Sequence, residues 1–399
     1  MRPLRMSHRS FLIYPLLLAS KQTTFTSNHQ IISYPLRRAM QVTDRALTHA
    51  PCELLQTTNK GYFFNLECLW WQPLGLRHMS QASNPLLSTE ELTFFKQYGY
   101  LIKRSVLPVD HCETLLDLMW TSAPEGIERD RPDSWGPIPE TAHSSDATYV
   151  VSRNKWQYRS ISTHPSVLRT MTDAPMWNWA EQLLGQSNVR PPTEHGLPMG
   201  HAGPAWPGGP VDPQLTEGAR GIYATLPDTE TASLPDQLHT DGHPFHFGAV
   251  CLLADCPPDS GAFKVWPGSH RQFYPLFPMQ YDQARIPYYE HLPSHKGIIH
   301  PEAYLDAVKA VESSIQPVDC WGSQGDVVLW HHRLGHMAGH HRGTEASIRQ
   351  ALLFDYNHVD LDKQRLDPPQ ENMWRDWSDA INAADASLSS EFLASQGIQ

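Results

Sequence analysis

The six cysteines include no CxxC pair, so neither a zinc ribbon nor a disulfide framework is indicated, and a reduced, intracellular protein is expected. Positive charge is scarce as well. Lys and Arg number 31 against 42 Asp and Glu in 399 residues, and the net charge of −11 argues against a main surface built to hold nucleic-acid phosphates. Long apolar runs are missing too: the stretch from Phe11 to Ala19 is too short to span a bilayer and Pro15 interrupts it, so stable membrane insertion is not expected. The 34 prolines follow no period that would suggest collagen or a linker repeat. A soluble globular chain acting on a small molecule is left.

Histidine is abundant. There are 22, and they cluster: His239, His243 and His246 fall close together, as do His331, His332, His336, His340 and His341. Metal ligation is therefore the first chemistry to consider.

Charge divides the chain near residue 85. No acidic residue precedes Asp44, while Arg2, Arg5, Arg9, Lys21, Arg37 and Arg38 lie among many Ser and Thr. Residues 1–84 read as a poorly structured extension or targeting segment, and either a transit peptide or an upstream extension before a start near Met79 fits them. A cytoplasmic address is expected, with a mitochondrial one the alternative that the basic N-terminus offers.

Residues 85–399 read as one catalytic domain. Its first part, 87–190, is expected to be largely helical: Ser88 and Glu91 form a capping box ahead of a helix that Gly99 closes. A strand then runs from Tyr100 to Ile102, a helix starts at Pro108, and a further helix spans Val167 to Leu184. Residues 123–150 and the Pro- and Gly-rich stretch from Pro191 to Gly221 read as loops. Short β-strands follow at Ile222–Leu226, Gly248–Leu253, Ala262–Trp266, Val327–Trp330 and Ile348–Tyr356, the texture of a sandwich or barrel spanning about 221–358. Residues 371–395 read as one or two covering helices.

The chemistry begins at His239-Thr240-Asp241. On an extended strand, residues i and i+2 share a face, so one segment can offer an imidazole and a carboxylate to a single point. A second His would complete a 2-His-1-carboxylate facial triad, the site of non-haem Fe(II) oxygenases. His331, His332 and His336 are all candidates. Gly261 to His270, containing Pro267-Gly268-Ser269-His270, follows; then Gly325-Asp326 opens a strand read as continuing to His336, and Arg349 lies on the next one.

Together these pieces, from about Leu87 to Tyr356, resemble the phytanoyl-CoA dioxygenase (PhyH) family of Fe(II)/2-oxoglutarate-dependent oxygenases. The resemblance implies a mainly β double-stranded β-helix, a cupin-like jelly roll with flanking helices. It also implies His239, Asp241 and His336 as iron ligands and as the catalytic centre, with Arg349 as the clamp for 2-oxoglutarate. Arg342 is the competing clamp. Ala338 departs from the small hydroxyl residue the family often carries two places after its distal His.

Tyr223 is a further candidate for bonding the co-substrate, with a buried structural tyrosine the alternative. His243 and His246 could line a substrate pocket, and Trp135, Trp156 and Trp206 could shape one. Ser269 and His270 read instead as a turn that bonds backbone groups. The implied activity is oxidation, hydroxylation first, of a small organic metabolite of the kind secondary metabolism handles, with Fe(II), 2-oxoglutarate and O2 consumed or bound and ascorbate as an accessory. A cupin-type metalloenzyme without 2-oxoglutarate and a catalytically silent relative are the alternatives. Asp241 argues against halogenation, for which a small residue would have to leave room for chloride.

Overall fold

The computed structural model describes residues 86–139, 149–192, 219–241, 244–276, 278–279, 302–343, 346–365 and 367–398. The expectations for residues 1–84, for Trp206 and for His243 lie outside them.

The described chain opens with α1 (Thr89–Tyr98), β1 (Tyr100–Lys103) and α2 (Val109–Trp120). Ser88 accepts from the Glu91 amide and Glu91 from the Ser88 amide, the expected capping box, and Gly99 ends α1 in the left-handed conformation. Then come β2 (Tyr149–Ser152), β3 (Lys155–Tyr158), α3 (Pro165–Thr172), α4 (Met176–Leu184), β4 (Ala219–Thr225), α5 (Thr229–Ala232), β5 (Phe247–Leu252), β6 (Phe263–Val265) and α6 (His270–Phe273). The rest is α7 (Glu302–Ser314), β7 (Val318–Cys320), β8 (Val327–His331), β9 (His336–Ala338), β10 (Arg349–Tyr356), α8 (Leu361–Gln364), α9 (Asp379–Ala383) and α10 (Ser390–Ser395).

These strands make two antiparallel sheets. The larger has the order β1-β8-β5-β10-β4-β3-β2 and the smaller the order β7-β6-β9. Phe263 and Val265 of the small sheet share one core with Val250, Trp330 and Leu352 of the large one, so the two pack face to face with helices around them. This is the expected mainly β fold with flanking helices, and among the described residues neither sheet closes on itself. Gly248 shows how sequence permits the packing: a Cβ there would meet the Trp330 ring at 2.1 Å, so only glycine lets that indole lie across the neighbouring strand.

Four local expectations change. The helix read over 167–184 is two helices, because Pro175 lacks an amide and disfavours helical backbone at the residue before it. The strand read from Asp326 to His336 is also two pieces. β8 stops at His331, Leu334 N donates to His331 O, and the chain crosses to the small sheet before His336. Residues 149–158, at the end of the first expected loop, form the β2-β3 hairpin. In the tail, Trp374 and Trp377 sit in turns rather than helices and pack on Phe95 and His331.

A second, smaller core lies beneath α7. Leu238, Trp266, Phe273, Tyr304, Val308, Val311 and Met337 pack together there, which places a helix directly behind the His239 segment. The four described cysteines are free and buried. Among the described residues no helix is long and apolar enough to cross a membrane.

Candidate metal centre

His239 and His336 meet through their main chains. The amide of each donates to the carbonyl of the other, at 3.1 and 2.9 Å, in an isolated antiparallel bridge. The HxD segment is thus not the full strand expected from its sequence. One bridging residue suffices, because β9 is anchored on its other side by β6, Val265 standing opposite His336. Gly339 permits that close approach, since a Cβ there would meet Ala262 O at 2.6 Å.

The crossover before β9 is also pinned. Ser269 donates to Trp266 O at 2.7 Å and accepts from the Gly335 amide at 2.9 Å, and His270 Nε2 lies 3.3 Å from Lys96 O. The Pro-Gly-Ser-His turn bonds backbone groups, as read from sequence, and in doing so fixes the residue before His336. On the other flank, Tyr304 of α7 bonds the amide and hydroxyl of Thr240, the middle residue of HxD, at 2.9 and 3.2 Å.

The candidate ligand atoms of His239, Asp241 and His336 all lie within 4.8 Å of one another, the one such group of His, Cys and acidic side chains among the described residues. His239 Nδ1 donates to Gln237 O at 3.1 Å and His336 Nδ1 to Leu334 O at 2.8 Å, the tautomers that leave each Nε2 for a cation. Burial, and then the neighbouring His336, lowers His239 to about 4, so its ring is neutral near pH 7 as a metal ligand must be. Two imidazoles and one carboxylate form a donor set suited to Fe(II).

The competing histidines are elsewhere. His331 stacks on Trp377 and its Nδ1 accepts from the Arg333 amide, whereas His332 packs edge-on against Phe245. His246 is buried away from the triad, bonding Gln364 and the His358 amide. Trp156 is buried in the main core beside Trp120.

Arg349 opens β10 and is 1% exposed, and its Nε has no hydrogen-bond partner. Among the described residues no carboxylate pairs with it. Its cross-strand partner is Thr225, which on its other side faces Lys155 of β3. The Lys155 ammonium donates to Ala338 O at 3.2 Å, two residues beyond His336. Burial, and then the charge of Arg349, lowers Lys155 to about 8. Two cations thus sit side by side without an acidic neighbour among the described residues, the arrangement a small dianion would neutralise. Arg342, the competing clamp, is engaged with Asp236 and with the carbonyls of Ala232 and Leu234. Tyr223 lies on the Thr225 face of β4, and burial raises its phenol above the ordinary range.

Two groups were not legible in advance. Lys155 belongs to a hairpin that runs past the loop expected over 123–150, and nothing in a lone lysine marks it. Arg220 of β4 forms an ion pair with Asp241, Nη1 lying 2.8 Å from Oδ2, and grips Asp355 through hydrogen bonds from Nε and Nη2.

No curated protein matches this chain. Three solved structures overlap it weakly. The alpha-ketoglutarate-dependent carbocyclase SnoK of nogalamycin biosynthesis is 17% identical over 73% of this chain and 95% of its own, with a TM-score of 0.40. EctD from S. alaskensis with bound Fe is 16% identical over 73% and 83%, at 0.40. HygX from Streptomyces hygroscopicus, with nickel, 2-oxoglutarate and hygromycin B bound, is 14% identical over 68% and 88%, at 0.37. The fold assignment rests on strand order and not on these overlaps. The family model for phytanoyl-CoA dioxygenase (PhyH) matches residues 220–351, the stretch that holds His239, Asp241, His336 and Arg349. Residues 220–351 are thus the stretch in which this chain is similar to the phytanoyl-CoA dioxygenase (PhyH) family.

Proposed function

We propose that the protein is an Fe(II)/2-oxoglutarate-dependent oxygenase that oxidises a small organic substrate, hydroxylation being the simplest outcome. The observation that carries this reading is the pairing of a compact His-Asp-His group with two neighbouring cations, buried Arg349 and half-buried Lys155, that lack an acidic partner among the described residues. A metal site alone would serve many chemistries. A neighbouring dicationic pocket favours a dicarboxylate co-substrate, because an unneutralised buried guanidinium is costly unless an anion meets it.

His239, Asp241 and His336 would hold the iron and leave adjacent positions open. Bound there, Fe(II) supplies the coupling of O2 and 2-oxoglutarate to substrate oxidation, with succinate, CO2 and the oxidised substrate as products. The protein's own part is to position. Arg349 would hold a carboxylate of the co-substrate, Lys155 would add positive charge beside it, and Tyr223 would offer a phenol on the same face of the sheet. The backbone bonds to both Nδ1 atoms hold the imidazoles in the ligating tautomer.

Anaerobic titration of the purified protein with Fe(II) and then 2-oxoglutarate tests this. The expected result is a visible charge-transfer absorption that requires both components, followed on admission of air by succinate release. Iron binding without that absorption would overturn the 2-oxoglutarate reading and leave a metalloenzyme of another kind.

A further inference from the structure

Arg220 is the extra residue of a β-bulge. Leu353 of β10 faces Gly221 of β4, but the next residue, Phe354, faces Ala219, so Arg220 has no partner opposite it. A bulge releases one residue from the ladder and re-aims its side chain. Here the guanidinium lies over the rings of Phe245 and Trp330, 4.8 and 5.1 Å from their centroids. Its nitrogens are divided: Nε and Nη2 hydrogen-bond Asp355 at 2.8 to 3.0 Å, and Nη1 forms an ion pair with Asp241 Oδ2 at 2.8 Å.

All three side chains are nearly excluded from water, Arg220 at 7%, Asp355 at 7% and Asp241 at 11% exposure. Asp241 has particular need of a tether, because the bridge that fixes His239 stops one residue short of Thr240 and Asp241 belongs to no strand. Resting on the reading of the triad as a metal site, we propose that Arg220 is a positioning residue that aims the Asp241 carboxylate at the metal, and that Asp355 neutralises Arg220 so that the charge of Asp241 remains available to the cation.

Geometry and charge balance both lead there. A carboxylate oxygen has more than one lone pair, so Oδ2 can pair with the Arg220 charge while the group still faces His336 Nε2, 3.6 Å away. Were Arg220 and Asp241 alone, they would cancel. Asp355 makes the group of three net negative, which a divalent cation favours. The planar guanidinium matters as much as its charge, since only a fork can hold two carboxylates at fixed angles from one side chain.

Two variants separate these roles, read by calorimetric Co(II) titration of the metal-free protein, by the visible spectrum of the Co(II) form and by melting without metal. Arg220→Lys keeps the charge and loses the fork. Co(II) affinity is expected to fall about 10-fold to 100-fold, the usual effect of losing a supporting partner, with a changed ligand-field spectrum. Asp355→Asn keeps shape and removes one charge. Affinity is expected to fall about tenfold with the spectrum unchanged, because Asp241 stays aimed.

Co(II) affinity and spectrum unchanged in Arg220→Lys, with only the melting temperature lowered, would assign the residue a structural role and overturn the proposal. Should that variant fail to fold, Asp355→Asn decides, and affinity within twofold of the parent overturns it. A parent chain that takes up no Co(II) while His336→Ala behaves identically would instead overturn the metal-site reading, and this inference with it.

Discussion

His239 and His336 are bonded to each other by both main-chain groups, at 3.1 and 2.9 Å, and their rings stand 4.8 Å apart. Neither Cα can shift without moving the backbone of the other. The bridge also survives loss of a side chain, because side chains play no part in it. His336→Ala should therefore keep the bridge, losing only the ring's packing on Phe263 and Trp330, while metal affinity falls by more than about 100-fold, beyond the effect of losing a mere supporting partner. Calorimetric titration with Co(II) or Fe(II) checks this, and undiminished affinity would remove His336 from the site.

The two ligand segments were legible in the sequence for different reasons. His-Thr-Asp carries its own geometry, since a two-residue spacing puts both groups on one side of extended backbone. His336 could be chosen over His331 and His332 only through the family resemblance. Locally all three follow an apolar strand, and nothing in their immediate neighbours reveals that the chain turns at residues 332–335 and crosses between sheets. Arg349 was legible as a strand cation placed after the histidine, but its isolation was not. That depends on which carboxylates the fold brings near, and Asp236, one candidate, is taken up by Arg342 and Lys264. Lys155 and Arg220 escaped because a hairpin register and a bulge, respectively, deliver them. Both are properties of strand pairing between segments far apart in sequence.

Removing Arg349 should separate binding from stability. In Arg349→Met the buried, acid-free guanidinium is replaced by an apolar side chain of similar reach, so stability without ligand is expected to be unchanged or higher by about 1 kcal/mol. Binding of 2-oxoglutarate to the Mn(II)-loaded protein should weaken by about 2–5 kcal/mol, roughly 30-fold or more. Urea unfolding and calorimetry measure the two quantities. A large loss of ligand-free stability would mean that Arg349 has a structural anion partner, contrary to its proposed role.

Three histidines remote from the triad predict an acid limit to stability. Burial is the main cause in each: it lowers His246 to about 3, with His358 adding to it, His270 to about 3, with Arg271 adding, and His331 well below the ordinary 6.5. Because folding depresses these values, the neutral rings favour the folded state. Their contribution is complete above about pH 6.5 and is lost as the pH falls from there toward about 3. Unfolding between pH 6 and 4 should take up at least about three protons at histidine, since burial lowers His111, His340, His341 and His358 as well. Urea midpoints at pH 7, 6 and 5 read this directly, and replacing His246 by Gln should reduce the slope by about one proton. A slope that is the same in the parent and that variant would contradict the burial argument for His246.

Tyr304 offers the sharpest test of how the HxD segment is held. Its hydroxyl bonds both the amide and the side chain of Thr240 while its ring packs in the small core against Phe273. Tyr304→Phe preserves the packing and leaves the buried Thr240 amide without this acceptor, which should cost about 1–3 kcal/mol of stability. Because Thr240 lies between His239 and Asp241, the two ligands should also lose their fixed spacing, and metal affinity should fall with stability. Co(II) titration below the melting range distinguishes the two effects: weaker binding by the fully folded variant places Tyr304 in support of the metal centre, whereas undiminished binding confines it to anchoring α7.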